Sequence, residues 1–271
     1  MEEKFSKLQN ILREMGSALI AYSGGVDSTF LIKVAKDVLG EKALAIIAAS
    51  ATFPRLELEE AERQAQDIGI GYLVIKTEEL RNPSFYNNPP ERCYYCKREL
   101  FGKLQEIARE KGFKFILDGT NQDDQNDFRP GRKAGREFKV RSPLFEAGLA
   151  KEDIRILSRE LGLSTWDKPS QACLSSRFPY GEVISEEKLR IVEEGEEFIR
   201  SLGFRQVRLR HHGQLARLEV DQEDIPKFFD NGIGEKIKNK LIELGYLYIT
   251  VDLEGYRTGS LNKPGKEETW I

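Results

Sequence analysis

The run Tyr22-Ser23-Gly24-Gly25-Val26-Asp27-Ser28 stands between a strand-like apolar segment (18–21) and a helix-like one (29–39). Adjacent glycines let a backbone turn sharply and come close to a ligand. Two serine hydroxyls add donors, and the start of the following helix offers unpaired N–H groups and the positive end of its dipole. Such a loop cradles an anion. No lysine stands where a Walker A loop needs one to reach a terminal phosphate. Ser23, Gly24, Gly25, Asp27 and Ser28 therefore read as a pyrophosphate site, and the chemistry suggested is cleavage of ATP between its α and β phosphates. The competing reading is an ordinary strand-to-helix turn capped by Asp27 or Ser28.

The second constellation is Cys93-Tyr94-Tyr95-Cys96 with the distant Cys173. Asn88-Pro89-Pro90 signals a helix start, which puts Cys93 and Cys96 on one face of the first turns. A helix N-terminus favours thiolates. The pair alone fits a redox dithiol or half of a zinc site. Three thiolates are one short of a closed zinc or iron–sulfur site; a [4Fe–4S] cluster held by three would leave one iron open to a ligand such as sulfide. The alternative is three unrelated thiols, with Cys173 buried.

Arg208 and Arg210 alternate with Val207 and Leu209, so both project from one strand face. Paired guanidinium groups suit phosphate or carboxylate, although the pattern alone favours a solvated sheet face. Ser50 and Gly119 are small residues at strand ends. Asp123, Asp124, Asp127, Arg129 and Arg132 crowd a polar stretch, of which Asp127 and Arg129 could face a nucleotide. His211 and His212 read as turn residues.

These groups must be held by a scaffold that the apolar periodicity outlines. An opening helix carries Phe5, Leu8, Leu12 and Met15 and stops at Gly16. Strands at 18–21, Ala43–Ala49, 72–76 and 114–118 alternate with helices at 28–39, 56–68 and 90–111. That order predicts an α/β fold, a mostly parallel doubly wound sheet whose ligands sit beyond the carboxyl ends of the strands. Residues 122–143 read as a long functional loop. A helix at 152–161 leads to an irregular stretch at 166–181. The pattern then changes to a smaller α+β unit with helices near 186–202, 225–229 and 236–244. Its strands are expected at 206–211, Leu215–Val220 and 248–253. The expected domains are an ATP-binding domain (1–165), a cysteine-bearing loop (166–182) and the α+β unit (183–271).

With 39% hydrophobic and 32% charged residues, a soluble globular chain is expected, and the net charge of −3 argues against general nucleic-acid binding. No apolar signal core or membrane-length run is seen. A reducing cytoplasm is the expected compartment, where three cysteines suit thiol, metal or cluster chemistry better than disulfides.

The Ser23–Ser28 run resembles the pyrophosphate loop of the ATP pyrophosphatase superfamily, which adenylates a substrate and releases pyrophosphate. Over most of its length the chain is similar to the LarE family of ATP-dependent sulfur transferases, through the stretches 21–28, 118–121, 126–131, 173–181 and 255–259. The resemblance implies an adenine nucleotide alpha hydrolase-like fold and the use of ATP with Mg2+. The implied substrate is a pyridinium-3,5-dicarboxylate mononucleotide, converted to its thiocarboxylate on the path to the nickel-pincer nucleotide. One family type sacrifices the sulfur of a single cysteine, at the position of Cys173. The other carries an extra sulfide on a [4Fe–4S] cluster, and Cys93, Cys96 and Cys173 place this chain with it. The resemblance also moves Arg208 and Arg210, with Ser176 and Arg177, to a site for the substrate phosphate. It further implies a divalent metal at Glu196, a sulfide or other sulfur donor, and a homo-oligomer. Transfer RNA thiolation and a non-catalytic ATP-binding module are the remaining alternatives.

Overall fold

The computed structural model describes residues 1–126, 130–169, 172–230, 232–257 and 260–261. The chain divides into two compact units, Met1–Gln171 and Ala172–Ile271. In the first, α1 (Glu2–Met15) is stopped by Gly16 at φ 72°. Then follow β1 (Ala18–Tyr22), α2 (Val26–Leu39), β2 (Ala43–Ala49), α3 (Arg55–Ile68), β3 (Gly71–Lys76) and the one-turn α4 (Pro83–Tyr86). The unit is completed by α5 (Arg92–Lys111), β4 (Phe115–Leu117), α6 (Gly131–Glu137), the one-turn α7 (Pro143–Glu146) and α8 (Lys151–Glu160).

The four strands form one parallel sheet in the order β3-β2-β1-β4. Side chains alternate between two cores, as the pleat requires. Ala18, Ile20 and Tyr22 of β1 join Leu8, Phe30, Ala61 and Ile154, from α1, α2, α3 and α8. Leu19 and Ala21 join Leu100, Phe101 and Leu104 of α5 and Ala134 of α6. Both faces are thus covered, which is why the strands read as nearly continuous apolar runs. Winding proceeds from β1 to β2 and β3 on one side, then crosses to β4 on the other. The strand order therefore reverses between β1 and β4, which is where such sheets bind ligands.

In the first unit two expectations need correction. Helix α5 starts at Arg92, with Glu91 as its N-cap, not at Pro90; Asn88, at φ 54°, turns the chain before the prolines. The stretch read as one long loop contains a 3-10 turn at Gln122–Asn126 and helix α6. Its polar sequence hides small residues, Ala134 and Gly135, that let α6 lie against Phe101 of α5.

The second unit begins with a 3-10 turn (Leu174–Arg177), followed by α9 (Glu186–Ser201), β5 (Val207–His212), β6 (Leu215–Val220), α10 (Ile233–Glu243) and β7 (Tyr248–Val251). A further 3-10 helix, Gln222–Phe229, stands where the periodicity predicts an α-helix; Pro226 inside it lacks the N–H that a regular ladder requires. The mixed sheet has the order β5-β6-β7, with β5 antiparallel and β7 parallel to β6. Helix α9 lies so close to β5 that a Cβ on Gly195 would stand 2.5 Å from Leu209. Among the described residues no helix is long and apolar enough to cross a membrane.

Candidate functional site

The loop between β1 and α2 has the geometry of an anion cradle. Gly24 is left-handed at φ 68°, and a Cβ there would lie 2.9 Å from the Cβ of Ala61. Gly25 is the N-cap of α2 and makes no side-chain cap, so neither Asp27 nor Ser28 plays the capping role of the competing reading. The first intrahelical bond runs from the Thr29 amide to the Gly25 carbonyl at 2.9 Å. The amides of Val26, Asp27 and Ser28 precede it and have no partner within the helix. Ser28 Oγ organises the turn: it accepts from the Ser23 amide (3.3 Å), donates to the Gly25 carbonyl (3.1 Å) and meets Ser23 Oγ at 3.2 Å. Gly119, just beyond β4, closes the other side. A Cβ there would be 3.1 Å from the Ser28 amide nitrogen, so a side chain at this position would crowd the first turn of α2.

Several groups brace the loop. Asp27 Oδ2 pairs with Lys151 at 2.6 Å, whereas its buried Oδ1 has no hydrogen-bond partner among the described residues. The Lys151 amide donates to Asp123 at 2.7 Å. Buried Lys168 reaches the Gly24 carbonyl at 3.2 Å, Glu57 at 2.7 Å and Glu60 at 2.9 Å. Under the loop, Tyr22 donates to Gln64 at 2.9 Å and Thr29 to the same oxygen at 3.3 Å; burial pushes the phenol well above its ordinary range. Ser50, past the end of β2, meets the Thr52 hydroxyl at 2.9 Å, and Thr52 donates to the buried Glu79 at 2.7 Å. Asp127 and Arg129 lie outside the described residues.

None of the three cysteines is in a disulfide. Cys93 is exposed and Cys96 half-buried in the first turns of α5, three residues apart and so on one face. Cys173, also half-buried, is the N-cap of the first 3-10 turn of the second unit. Among the described residues no group of three or more His, Cys, Asp or Glu side chains could hold a metal ion. Cys93, Cys96 and Cys173 are therefore not gathered into a ligand set.

In the second unit the arginine pair is buried, which overturns the solvated-face reading. Strand β5 is buried along most of its length and packs against α9 and the turn carrying Arg177. Fully buried Arg177 grips Glu196 with Nε at 2.8 Å and Nη2 at 2.9 Å. Its Nη1 donates to the carbonyls of Ala172 (2.6 Å) and Cys173 (3.1 Å) and to Ser176 Oγ (3.0 Å). Glu196 also accepts from Arg200 at 2.7 Å and from the Leu209 amide at 2.9 Å. Burial alone would raise the Glu196 pKa, but Arg177 and Arg200 outweigh it and hold the carboxylate at about 2. Arg210 donates to the Ser176 carbonyl at 2.9 Å and to buried Glu219 at 2.6 Å. Arg208 stands over the Tyr256 ring, 5.1 Å from its centroid. Burial and the like charge of Arg177 lower Arg208 to about 10, so it remains cationic at neutral pH.

An uncharacterised protein of Synechocystis is 48% identical over 264 residues, 97% of this chain and 98% of the relative. The pyridinium-3,5-bisthiocarboxylic acid mononucleotide synthase of Lactiplantibacillus plantarum, a LarE protein, is 37% identical over 260 residues, 96% of this chain and 94% of that one. The chain belongs to the LarE family. A more distant similarity, 29% over 201 residues, links 65% of this LarE-family chain to 61% of a glutamine-hydrolysing GMP synthase component from Methanocaldococcus jannaschii. No family model matches the chain.

Within this LarE-family chain the structure brings together Ser23, Gly24, Gly25, Asp27, Ser28 and Gly119, and separately Ser176, Arg177, Arg208 and Arg210. Sequence reading missed Lys168, Lys151 and Glu219. The Lys168 contacts span 108 and 144 residues, so no local pattern could have announced them; for Glu219 the signal was its place opposite Arg208 on the neighbouring strand.

Two substitutions test this geometry. Gly24→Ala forces a side chain into left-handed backbone, at about 1–2 kcal/mol, and against Ala61; titration should show pyrophosphate binding weakened at least about tenfold. Glu196→Gln leaves Arg177 without its counter-charge and should lower the unfolding free energy at neutral pH by about 3–5 kcal/mol. Because Glu196 is held at about 2 against an ordinary 4.5, its contribution is complete above pH 4.5 and disappears as pH falls toward 2. Denaturant titrations across that window should show a flatter acid limb in the variant; superimposable profiles would contradict the role.

Proposed function

We propose that this chain is an AMP- and pyrophosphate-forming sulfur transferase that converts the carboxylates of a pyridinium-3,5-dicarboxylate mononucleotide to thiocarboxylates for the nickel-pincer nucleotide. The observation that carries this reading is the cradle of unpaired α2 amides, in a chain aligned almost end to end with a relative named for the bisthiocarboxylic product. In the first step a substrate carboxylate oxygen attacks the α-phosphorus of ATP. The bond from that phosphorus to the bridging oxygen breaks, and its electron pair leaves with pyrophosphate. The amides of residues 26–28 and the hydroxyls of Ser23 and Ser28 would receive the departing charge. Asp27 Oδ1, a buried oxygen with no hydrogen-bond partner among the described residues, fits a Mg2+ that would neutralise part of the same charge. In the second step sulfur attacks the acyl carbon, the acyl C–O bond breaks, and AMP departs.

The second unit would seat the substrate phosphate. Arg208 and Arg210 are already desolvated, and an anion there would offset the like-charge repulsion between Arg177 and Arg208. A divalent ion at Glu196 would have to displace Arg177 and Arg200 from both carboxylate oxygens, so no step is assigned to one. For the sulfur, Cys93, Cys96 and Cys173 would hold a [4Fe–4S] cluster, which when bound supplies a non-protein sulfide and leaves the chain intact. The alternative draws on Cys173 itself: its thiolate forms the thioester, the Cβ–S bond then breaks with loss of the Cα proton, and dehydroalanine remains.

Anaerobic protein reconstituted with iron and sulfide should hold about four irons per chain, lose them on Cys→Ala change at 93, 96 or 173, and release pyrophosphate over repeated turnovers when given ATP and the dicarboxylate. A colourless protein that transfers one sulfur and loses it from Cys173 would establish the sacrificial route. Absence of substrate-dependent pyrophosphate release would overturn the proposal.

A further inference from the structure

We propose that Lys168 is a positioning residue that locks the Gly24–Gly25 peptide so that its N–H faces the departing pyrophosphate. The inference rests on the reading of the loop as a pyrophosphate site and deepens it.

A peptide group is planar and trans, so its C=O and N–H point in opposite directions. The Gly24 carbonyl and the Gly25 amide belong to one such group. Glycines on both sides remove the Cβ atoms that would otherwise bias its orientation, and glycine visits both signs of φ readily. In isolation this peptide could rotate, withdrawing the Gly25 N–H from an anion and presenting a carbonyl oxygen in its place. An oxygen aimed at pyrophosphate is repulsive where the amide is attractive. Something must hold the orientation.

Lys168 has the geometry to do so. Its ammonium has three donors and three acceptors: the Gly24 carbonyl at 3.2 Å, Glu57 at 2.7 Å and Glu60 at 2.9 Å. The residue is 9% exposed, so the contact with Gly24 is made out of bulk water, where it is stronger. The backbone of Lys168 is itself fixed, because Arg155 of α8 donates to the carbonyls of Trp166 at 2.6 Å and Lys168 at 2.9 Å. Arg159, one turn on, stacks over the Trp166 ring at 5.1 Å. The first turn of the same helix carries Lys151, paired with Asp27 at 2.6 Å. Helix α8 is thus a strut that touches the loop through Lys151 and steadies the residue that pins its carbonyl.

Lys168 has a second effect. Glu57 and Glu60 project from the first turns of α3, the helix whose Ala61 abuts Gly24. Two carboxylates so near an anion site would repel phosphate, and the ammonium offsets them. Removing it therefore both releases the peptide and exposes the cradle to uncompensated negative charge.

The test is calorimetric binding of inorganic pyrophosphate and of AMP to the full chain, comparing wild type with Lys168→Met and Lys168→Arg. Methionine keeps the length and removes donors and charge; Lys168→Met should weaken pyrophosphate at least about tenfold while changing AMP by less than about twofold. Lys168→Arg keeps the charge but presents a planar fork, and should recover part of the loss. The same split should appear in turnover as a raised KM for ATP with a smaller change in kcat. Equal weakening of AMP and pyrophosphate, or unchanged pyrophosphate affinity in Lys168→Met, overturns the proposal. If Lys168→Met does not fold, Lys168→Arg decides: a loss of at least about threefold for pyrophosphate alone supports the lock, and no loss overturns it. Wild-type protein that binds no pyrophosphate would instead refute the reading of the loop on which this rests.

Discussion

The start of α2 leaves amide groups without intrahelical partners, and the proposed nucleotide site is built around that fact. A helix end of this kind attracts an anion only if the chain leading into it stays out of the way. Gly24 does so by adopting left-handed backbone against Ala61, and Gly25 by carrying no side chain at the N-cap. Gly119 lets the end of β4 close on Ser28 from the far side of the strand-order reversal. The sheet order and the loop are therefore one constraint: β1 must be central, with β2 and β4 as its neighbours, for the turn between β1 and α2 to face the crevice.

The second unit solves a different electrostatic problem. It buries Arg177, Arg208 and Arg210 together. Glu196 and Glu219, themselves buried, make this tolerable through paired and backbone hydrogen bonds. Lone buried charges of this kind would cost several kcal/mol each. The pair Arg177–Glu196 also ties the turn after Cys173 to helix α9 and strand β5. The cysteine thus precedes a turn whose conformation is fixed by a buried ion pair.

The fold of the first unit was legible in the sequence because its signals are local. Continuous apolar strands, a glycine at the end of α1 and the glycine run before α2 each act within a few residues. The loop residues were legible for the same reason. The burial of Arg208 and Arg210 was not, since alternation along a strand gives the face but not what covers it. Lys168 shows the limit most clearly: a lysine in an irregular stretch reads as solvated until α3 and the glycine loop are folded around it. Helix α6 was hidden by its polar sequence, because the residues that seat it on α5, Ala134 and Gly135, are too small and too few to give an apolar period.

The central claim is that the loop activates a carboxylate by splitting ATP at its α–β bond. It is tested most directly by supplying a pyridinium dicarboxylate nucleotide labelled with oxygen-18 in its carboxyl groups and analysing the released nucleotide by mass spectrometry. The account predicts AMP carrying one labelled oxygen for each thiocarboxylate formed, with unlabelled pyrophosphate. Unlabelled AMP, or release of ADP and orthophosphate, would contradict it.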